Sequence, residues 1–254
     1  MKLDGIAAIV TGGGSGMGAA TARALAAAGC KVALWDMNEA AASAVAKEIK
    51  GLAVICDVTS EGAVKQALEK SAVAHGAARI LVNCAGILIG KRLVGKEGPA
   101  DLEHFQKTIS INLTGTYNTM RLIATAMSAL PPMDEDGARG VIVNTASIAA
   151  FEGQIGQVAY SASKGGIVGM TLPAARELAK FGIRVVAVAP GAVATPMIGA
   201  VNDELRKSLE SAIPFPSRFA KPEEFAKLVL HIIDNDMLNG ECIRLDGASR
   251  LAAK

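Results

Sequence analysis

The sequence of 254 residues predicts an α/β fold: one domain, residues 1–254, built as a doubly wound parallel seven-stranded sheet with helices on both faces. Three observations predict it. Short apolar runs alternate with longer helix-like stretches along the whole chain. A glycine cluster interrupts the first alternation. Hydrophobic residues make up 51% of the chain while aromatic residues make up only 4%, so the core is aliphatic. Strands covered on both faces read as continuous aliphatic runs, and strand–helix alternation implies right-handed crossovers.

The first strand, Ile6 to Val10, leads into Thr11-Gly12-Gly13-Gly14-Ser15-Gly16-Met17-Gly18 and then into an alanine-rich helix ending near Gly29. Glycine lets the backbone turn tightly and approach a ligand closely. The free N–H groups and positive dipole end of the new helix favour a pyrophosphate. Gly12, Ser15, Gly16, Met17 and Gly18 are therefore candidate contacts for a dinucleotide. The second strand, Lys31 to Trp35, ends in Asp36. Its carboxylate is suited to accept hydrogen bonds from ribose hydroxyls and to repel a 2′-phosphate, which favours NAD over NADP. No arginine follows to reverse this, the next residues being Met37, Asn38 and Glu39. The third strand, Leu52 to Cys56, closes on Asp57, placed to meet the adenine edge.

Further strands follow at Ile80 to Cys84, Val141 to Thr145, Val185 to Ala189 and Cys242 to Leu245. Asn38 and Ser60 are candidate helix N-caps, and Pro222 suits a first helical turn. Gly29, Gly51 and Gly182 mark helix stops.

The run Gly140 to Asn144 delivers Ser147 at the carboxyl end of a buried strand, and Tyr160 and Lys164 follow at helical spacing. Side chains four residues apart share a helix face. A hydroxyl, a phenol and an ammonium would then surround one reacting oxygen. A phenol titrates near 10, so service as a base near neutrality requires roughly 3–4 kcal/mol of stabilisation for the phenolate. One unit charge at about 4.5 Å, at an effective dielectric of about 20, contributes roughly 3.7 kcal/mol. Lys164 is thus expected to lower the pKa of Tyr160, with Tyr160 as general acid or base and Ser147 as hydrogen-bond donor to the substrate oxygen. Pro173 falls in the same helix and should bend it downstream of the pair.

Thr11-Gly12-x3-Gly16-x-Gly18, Asn83-Cys84-Ala85-Gly86, Asn112, Ser147, Tyr160-x3-Lys164 and Pro190-Gly191 together resemble the short-chain dehydrogenase/reductase family, over essentially the whole chain. The resemblance implies a Rossmann-type fold and reversible hydride transfer between a secondary alcohol and NAD. It implies that Lys164 also holds the nicotinamide ribose, and that Asn112 anchors a water chain from Lys164 to solvent. It adds Val58, Cys84, Gly86, Val193 and Thr195 to the cofactor contacts. Where the family often carries Asn-Asn-Ala-Gly, this chain has Cys84 in place of the second amide; Cys84 is read as lining the adenosine side of the groove through its backbone. Phe151-Glu152-Gly153-Gln154, Ala162 to Pro173, Pro214 to Arg218 and Ile243 to Ala248 are similar to the subgroup acting on 3-hydroxyacyl-CoA, which makes Gln154 a candidate substrate contact. A 3-oxoacyl-carrier-protein reductase, a hydroxysteroid dehydrogenase and a non-enzymatic dinucleotide-responsive binding protein are the alternatives. The family also implies a homotetramer, assembled through the long helices flanking Val141 to Thr145.

The formal charge of +2, with basic residues scattered, argues against nucleic acid. Cys30, Cys56, Cys84 and Cys242 lie far apart and fit a reducing, cytoplasmic setting. No apolar run has the length of a secretory or membrane-spanning segment. His75, His104 and His231 share no metal-ligand spacing. Two long connections remain. Gly86 to Pro99 carries Lys91, Arg92, Lys96 and Glu97, the three cations being candidates for holding a CoA-like anion; residues 191–218 are read as a substrate lid.

Overall fold

The computed structural model describes residues 1–96, 98–198 and 203–253. The first half of the sheet comes from β1 (Ala7–Thr11), α1 (Gly16–Ala27), β2 (Lys31–Asp36), α2 (Glu39–Ile49), β3 (Leu52–Ile55), α3 (Glu61–His75) and β4 (Ile80–Asn83). A hairpin, β5 (Val94–Gly95) with β6 (Gly98–Pro99), precedes α4 (Leu102–Ile109) and α5 (Gly115–Ser128). The second half comes from β7 (Gly140–Thr145), α6 (Val158–Ala179), β8 (Ile183–Pro190), α7 (Asp203–Ser211), α8 (Pro222–Asp234) and β9 (Cys242–Leu245). Seven strands form one parallel sheet in the order β3-β2-β1-β4-β7-β8-β9. The winding reverses between β1 and β4, the switch point above which open α/β sheets bind ligands.

Alternation along each strand sorts its side chains between two cores. Ala8, Val10, Val32, Leu34, Val143 and Val186 pack with α1 and α8 on one face through Leu25, Phe225 and Val229. Ile9, Ala33, Trp35, Leu81, Ile142 and Val185 pack with α3 and α5 on the other through Val64, Ile123 and Met127. Each fully buried Leu, Ile or Val contributes about 2 kcal/mol, so the double burial holds the sheet between its two layers of helices. Trp35, the single tryptophan, is fully buried. Its indole N–H donates to Ser71 Oγ at 2.9 Å, which leaves no buried donor unpaired there.

Local signals set most helix ends. Asn38 and Ser60 accept hydrogen bonds from Ala41 N and Ala63 N, and Pro222 opens α8. Gly29 and Gly182 take positive φ at +92° and +67°. At the end of α2 the left-handed residue is Lys50, with φ +55°, rather than Gly51. Gly51 serves a close approach instead, since a Cβ there would lie 2.6 Å from the Val32 carbonyl oxygen. Helix α6 runs through Pro173 unbroken. Between α4 and α5, Ser110–Thr114 forms one wide π turn, so the two helices make a continuous rod. Nothing in the periodicity marked this insertion, which carries Asn112. The long connection after Gly86 contains the β5–β6 hairpin, with Glu97 outside the described residues. The expected lid contains a short helical turn (Pro196–Ile198) and α7, while its residues 199–202 lie outside the described residues. No described helix is long and apolar enough to cross a membrane.

Candidate active site

Two adjoining cavities lie along the carboxyl edge of the sheet. The first, about 540 Å³, is bordered by Gly12, Ser15, Gly16, Met17, Gly18, Asp36, Asp57, Val58, Cys84, Gly86 and Thr195. The second, about 290 Å³, is bordered by Ser147, Gln154, Tyr160, Lys164 and Val193, and shares Met17, Cys84, Gly86 and Thr195 with the first. Asn112 borders neither.

The first cavity is made by backbone. Gly12 and Gly16 take φ of +63° and +50°, the region that favours glycine. A Cβ on Gly12 would lie 2.8 Å from Ala85 N, and one on Gly18 would lie 2.1 Å from Gly12 O. Each glycine therefore allows a backbone approach that no larger residue permits. Ser15, at the N-cap of α1, makes no side-chain cap, so the first-turn N–H groups face the cleft with the positive end of the dipole. Asp36 accepts from Gly14 N and Asn38 N, both at 2.9 Å, which fixes its carboxylate at the cleft edge. Asp57 accepts from Thr59 N and Thr59 Oγ1 at 2.9 and 2.7 Å. The Thr11 hydroxyl receives both Cys84 N and Ala85 N at 3.2 Å, binding the β4 loop to the glycine turn.

The second cavity is made by side chains. Tyr160 and Lys164 are 8% and 5% exposed, and Ser147 is 9% exposed. Ser147 Oγ accepts from Ala149 N at 3.1 Å as cap of a short helical turn, which leaves its own proton free to donate. Lys164 Nζ donates to the Thr145 carbonyl at 2.7 Å and lies 5.7 Å from the centroid of the Tyr160 ring. Burial pushes Lys164 down to about 8. Burial also raises the phenol of Tyr160 above its usual range, with Ser147 pulling the other way. This corrects the expectation that Lys164 lowers the Tyr160 pKa. The ammonium is directed at a carbonyl, and desolvation of the phenolate dominates. Cys84 lines both cavities with its thiol pushed up to about 11 by burial, while Thr145 Oγ1 donates to its sulfur at 3.6 Å. A thiol held that far from ionisation is a poor nucleophile.

Asn112 works as a clasp. Its Oδ1 accepts from Ile87 N at 2.8 Å, and its Nδ2 donates to Ile87 O at 2.9 Å and Ser163 Oγ at 3.1 Å. A Cβ on Gly86 would lie 3.1 Å from Asn112 Oδ1 and 3.8 Å from Lys164 Nζ, so Gly86 separates the two by a glycine's width. Gln154 donates from Nε2 to Ala252 O at 3.2 Å and accepts from Gln157 Nε2 at 3.3 Å. The expected role of the loop cations finds no support in this geometry. Lys91 is paired with Asp101, and none of Lys91, Arg92 and Lys96 borders either cavity. Lys107 on α4 borders the first cavity instead, with Ser110 and Ile111 of the π turn, and Gln157, Phe219 and Leu251 border the second. No glycine or motif marked these residues; tertiary contact alone brings them to the cleft.

The sequence model of short chain dehydrogenases matches residues 6–206. The chain is 49% identical over 254 residues to 3-hydroxyacyl-CoA dehydrogenase type-2 of Rattus norvegicus, covering 98% of this chain and 97% of that one. A crystal structure of 3-hydroxyacyl-CoA dehydrogenase type-2 from Mycobacterium avium superposes with a TM-score of 0.94 at 43% identity, covering 98% of each chain. A 3-ketoacyl-(acyl-carrier-protein) reductase from Brucella melitensis complexed with NADH superposes at 0.86 with 32% identity, over 98% of this chain and 100% of that one. A glycine-turn cleft continuous with a Ser–Tyr–Lys cavity, on this topology and with these relatives, makes the chain a member of the short-chain dehydrogenase family of oxidoreductases.

Proposed function

We propose that this oxidoreductase interconverts 3-hydroxyacyl-CoA and 3-oxoacyl-CoA with NAD as its cofactor. The observation that carries the reading is the convergence of Ser147, Tyr160 and Lys164 on a cavity that opens into the glycine-lined cleft. The residues fit a dinucleotide. Gly12 and Gly18 let the turn pack against Ala85 and against itself where a Cβ would clash, and this tight turn presents the free N–H groups of α1 to a pyrophosphate. Asp36 holds a fixed negative charge where the adenosine ribose is expected, which repels a 2′-phosphate. Asp57 and Val58 would border the adenine, while Val193 and Thr195 would border the nicotinamide side with Lys164.

When bound, the nicotinamide would supply the hydride chemistry. The chain's own residues handle the proton. In reduction, Tyr160 donates its phenolic proton to the carbonyl oxygen; burial keeps that phenol protonated near neutrality, which suits the acid role. Ser147 donates a hydrogen bond to the same oxygen as negative charge develops on it. Lys164 keeps one donor on Thr145 O and has two more to offer towards a ribose. Gln154 borders the acyl side, in support of substrate contact.

The substrate assignment draws on the 49% identity to a protein named for 3-hydroxyacyl-CoA. The test is a rate comparison with acetoacetyl-CoA, a 3-oxoacyl-carrier protein and a 3-oxosteroid, each with NADH and with NADPH. Acetoacetyl-CoA with NADH is expected to give the highest kcat/KM, with NADPH at least about tenfold poorer. A preference for NADPH, or for either other substrate, sinks the reading. The same reading covers residues 1–254 as one catalytic domain with a lid at residues 191–218, a cytoplasmic setting in keeping with four free thiols, and a homotetramer. Exposed Tyr117 on α5 and Leu172 on α6 support assembly through those helices.

A further inference from the structure

The carboxyl-terminal segment after β9 folds back over the substrate side of the cleft and is held there by charge. Arg244 donates from Nη1 and Nη2 to the two carboxylate oxygens of Glu152, each at 2.9 Å, and from Nε to Asp246 Oδ2 at 2.7 Å. Its Nη2 also reaches Ser249 O at 3.0 Å. Arg250 closes the network from the strap itself, with Nη1 on Asp246 Oδ2 at 3.3 Å and Nε on Glu152 at 3.4 Å. Beyond the network, Ile155 N donates to Ala253 O at 3.0 Å and Gln154 Nε2 donates to Ala252 O at 3.2 Å. Gly247 and the non-glycine Ala248 both take left-handed φ, at +61° and +66°, so the chain turns sharply to make this return. Between these anchors Leu251 borders the cavity that contains Ser147 and Tyr160.

We infer that Leu251 is a specificity-determining wall of the substrate cavity, seated by the Arg244–Glu152–Arg250–Asp246 network, which sets the length of acyl chain the enzyme accepts. The inference rests on the acyl-CoA reading above. Gln154, Gln157 and Leu251 border one cavity, so an alkyl chain entering it meets a branched apolar side chain that the strap presents. Apolar pockets discriminate chain length through such contacts by about tenfold or more per methylene. Because the wall lies on a strap and not on the sheet, its position depends on ion pairs that a single substitution loosens. A bidentate arginine–carboxylate pair is geometrically exacting, so loosening it shifts what it holds. Arg250 is a positioning residue: it acts through Leu251 and does not border the cavity.

The experiment compares kcat/KM with NADH for acetoacetyl-CoA and 3-oxooctanoyl-CoA in the full chain, its Leu251→Ala variant and its Arg250→Ala and Arg250→Lys variants. Leu251→Ala is expected to raise the octanoyl-to-acetoacetyl ratio by about tenfold. Arg250→Ala is expected to raise it in the same direction by a smaller factor, through KM more than kcat, with Arg250→Lys restoring part of the original ratio. Arg250 is exposed, so its variant keeps the test alive if Leu251→Ala fails to fold. Unchanged ratios in a wild type active on acetoacetyl-CoA overturn the inference alone. A wild type inactive on both thioesters overturns the functional reading, and this inference with it.

Discussion

The glycine-lined half of the cleft is built from backbone, whereas the half around Tyr160 is built from side chains brought from distant elements. In the first half, Gly12, Gly16 and Gly18 act by what they lack, and the cleft surface is the peptide chain between β1 and α1. In the second, Ser147 comes from the end of β7, Tyr160 and Lys164 from α6, and Leu251 from the strap. At Gly12 and Gly18 the turn leaves no room for an added Cβ. A constellation of side chains tolerates substitution without unfolding but loses its chemistry.

The contrast breaks most sharply at Tyr160. Tyr160→Phe removes only the phenolic oxygen, so kcat should fall by about a thousandfold or more while NADH binding, followed by fluorescence titration, stays nearly unchanged. Retained turnover would move proton transfer to another group. Gly18→Ala tests the other half. Its Cβ would lie 2.1 Å from Gly12 O, and the clash should destabilise the fold by about 3 kcal/mol and abolish NADH binding. A urea midpoint at the wild-type value, with NADH still bound, would show that the turn has room to give.

The smallest effect, taken per pH unit, concerns Lys164, whose pKa falls from 10.5 to about 8 on burial. Between those values the unfolded chain binds more protons than the folded one, so the group adds stability as pH rises from about 8 to 10.5 and opposes folding most fully below about 8. Wild type should therefore gain on Lys164→Met by at most about 1.4 kcal/mol per pH unit in that window. Urea unfolding of both proteins across it measures the gap; parallel curves would mean that Lys164 titrates at its ordinary value.

Other contacts lay beyond what spacing reveals. The β4–β7 register sets Asn83 beside Asn144, and Asn83 Nδ2 donates to Asn144 Oδ1 at 2.9 Å while Thr119 Oγ1 donates to Asn83 Oδ1 at 2.8 Å. This buried clasp fixes Cys84 against Thr145, and hence the carbonyl that Lys164 binds. Asn83 and Asn144 are 61 residues apart, and neither carries a local signal of the other. The π turn at Ser110–Thr114 is of the same kind, since its register is imposed by Ile87 and Ser163, which Asn112 joins.

The amino-acid sequence by itself determined the alternating strands and helices, the glycine turn, the acid at the end of β2, and the helical spacing of Tyr160 and Lys164. These follow from periodicity and local conformational preference, which act between residues a few positions apart. The tertiary structure alone decided the direction of Lys164 towards Thr145, the raised phenol of Tyr160, the pairing of Lys91 with Asp101 and the return of Leu251 to the cavity. Each depends on burial or on contact between segments far apart in the chain, and desolvation and long-range charge exist only once the chain has folded around them.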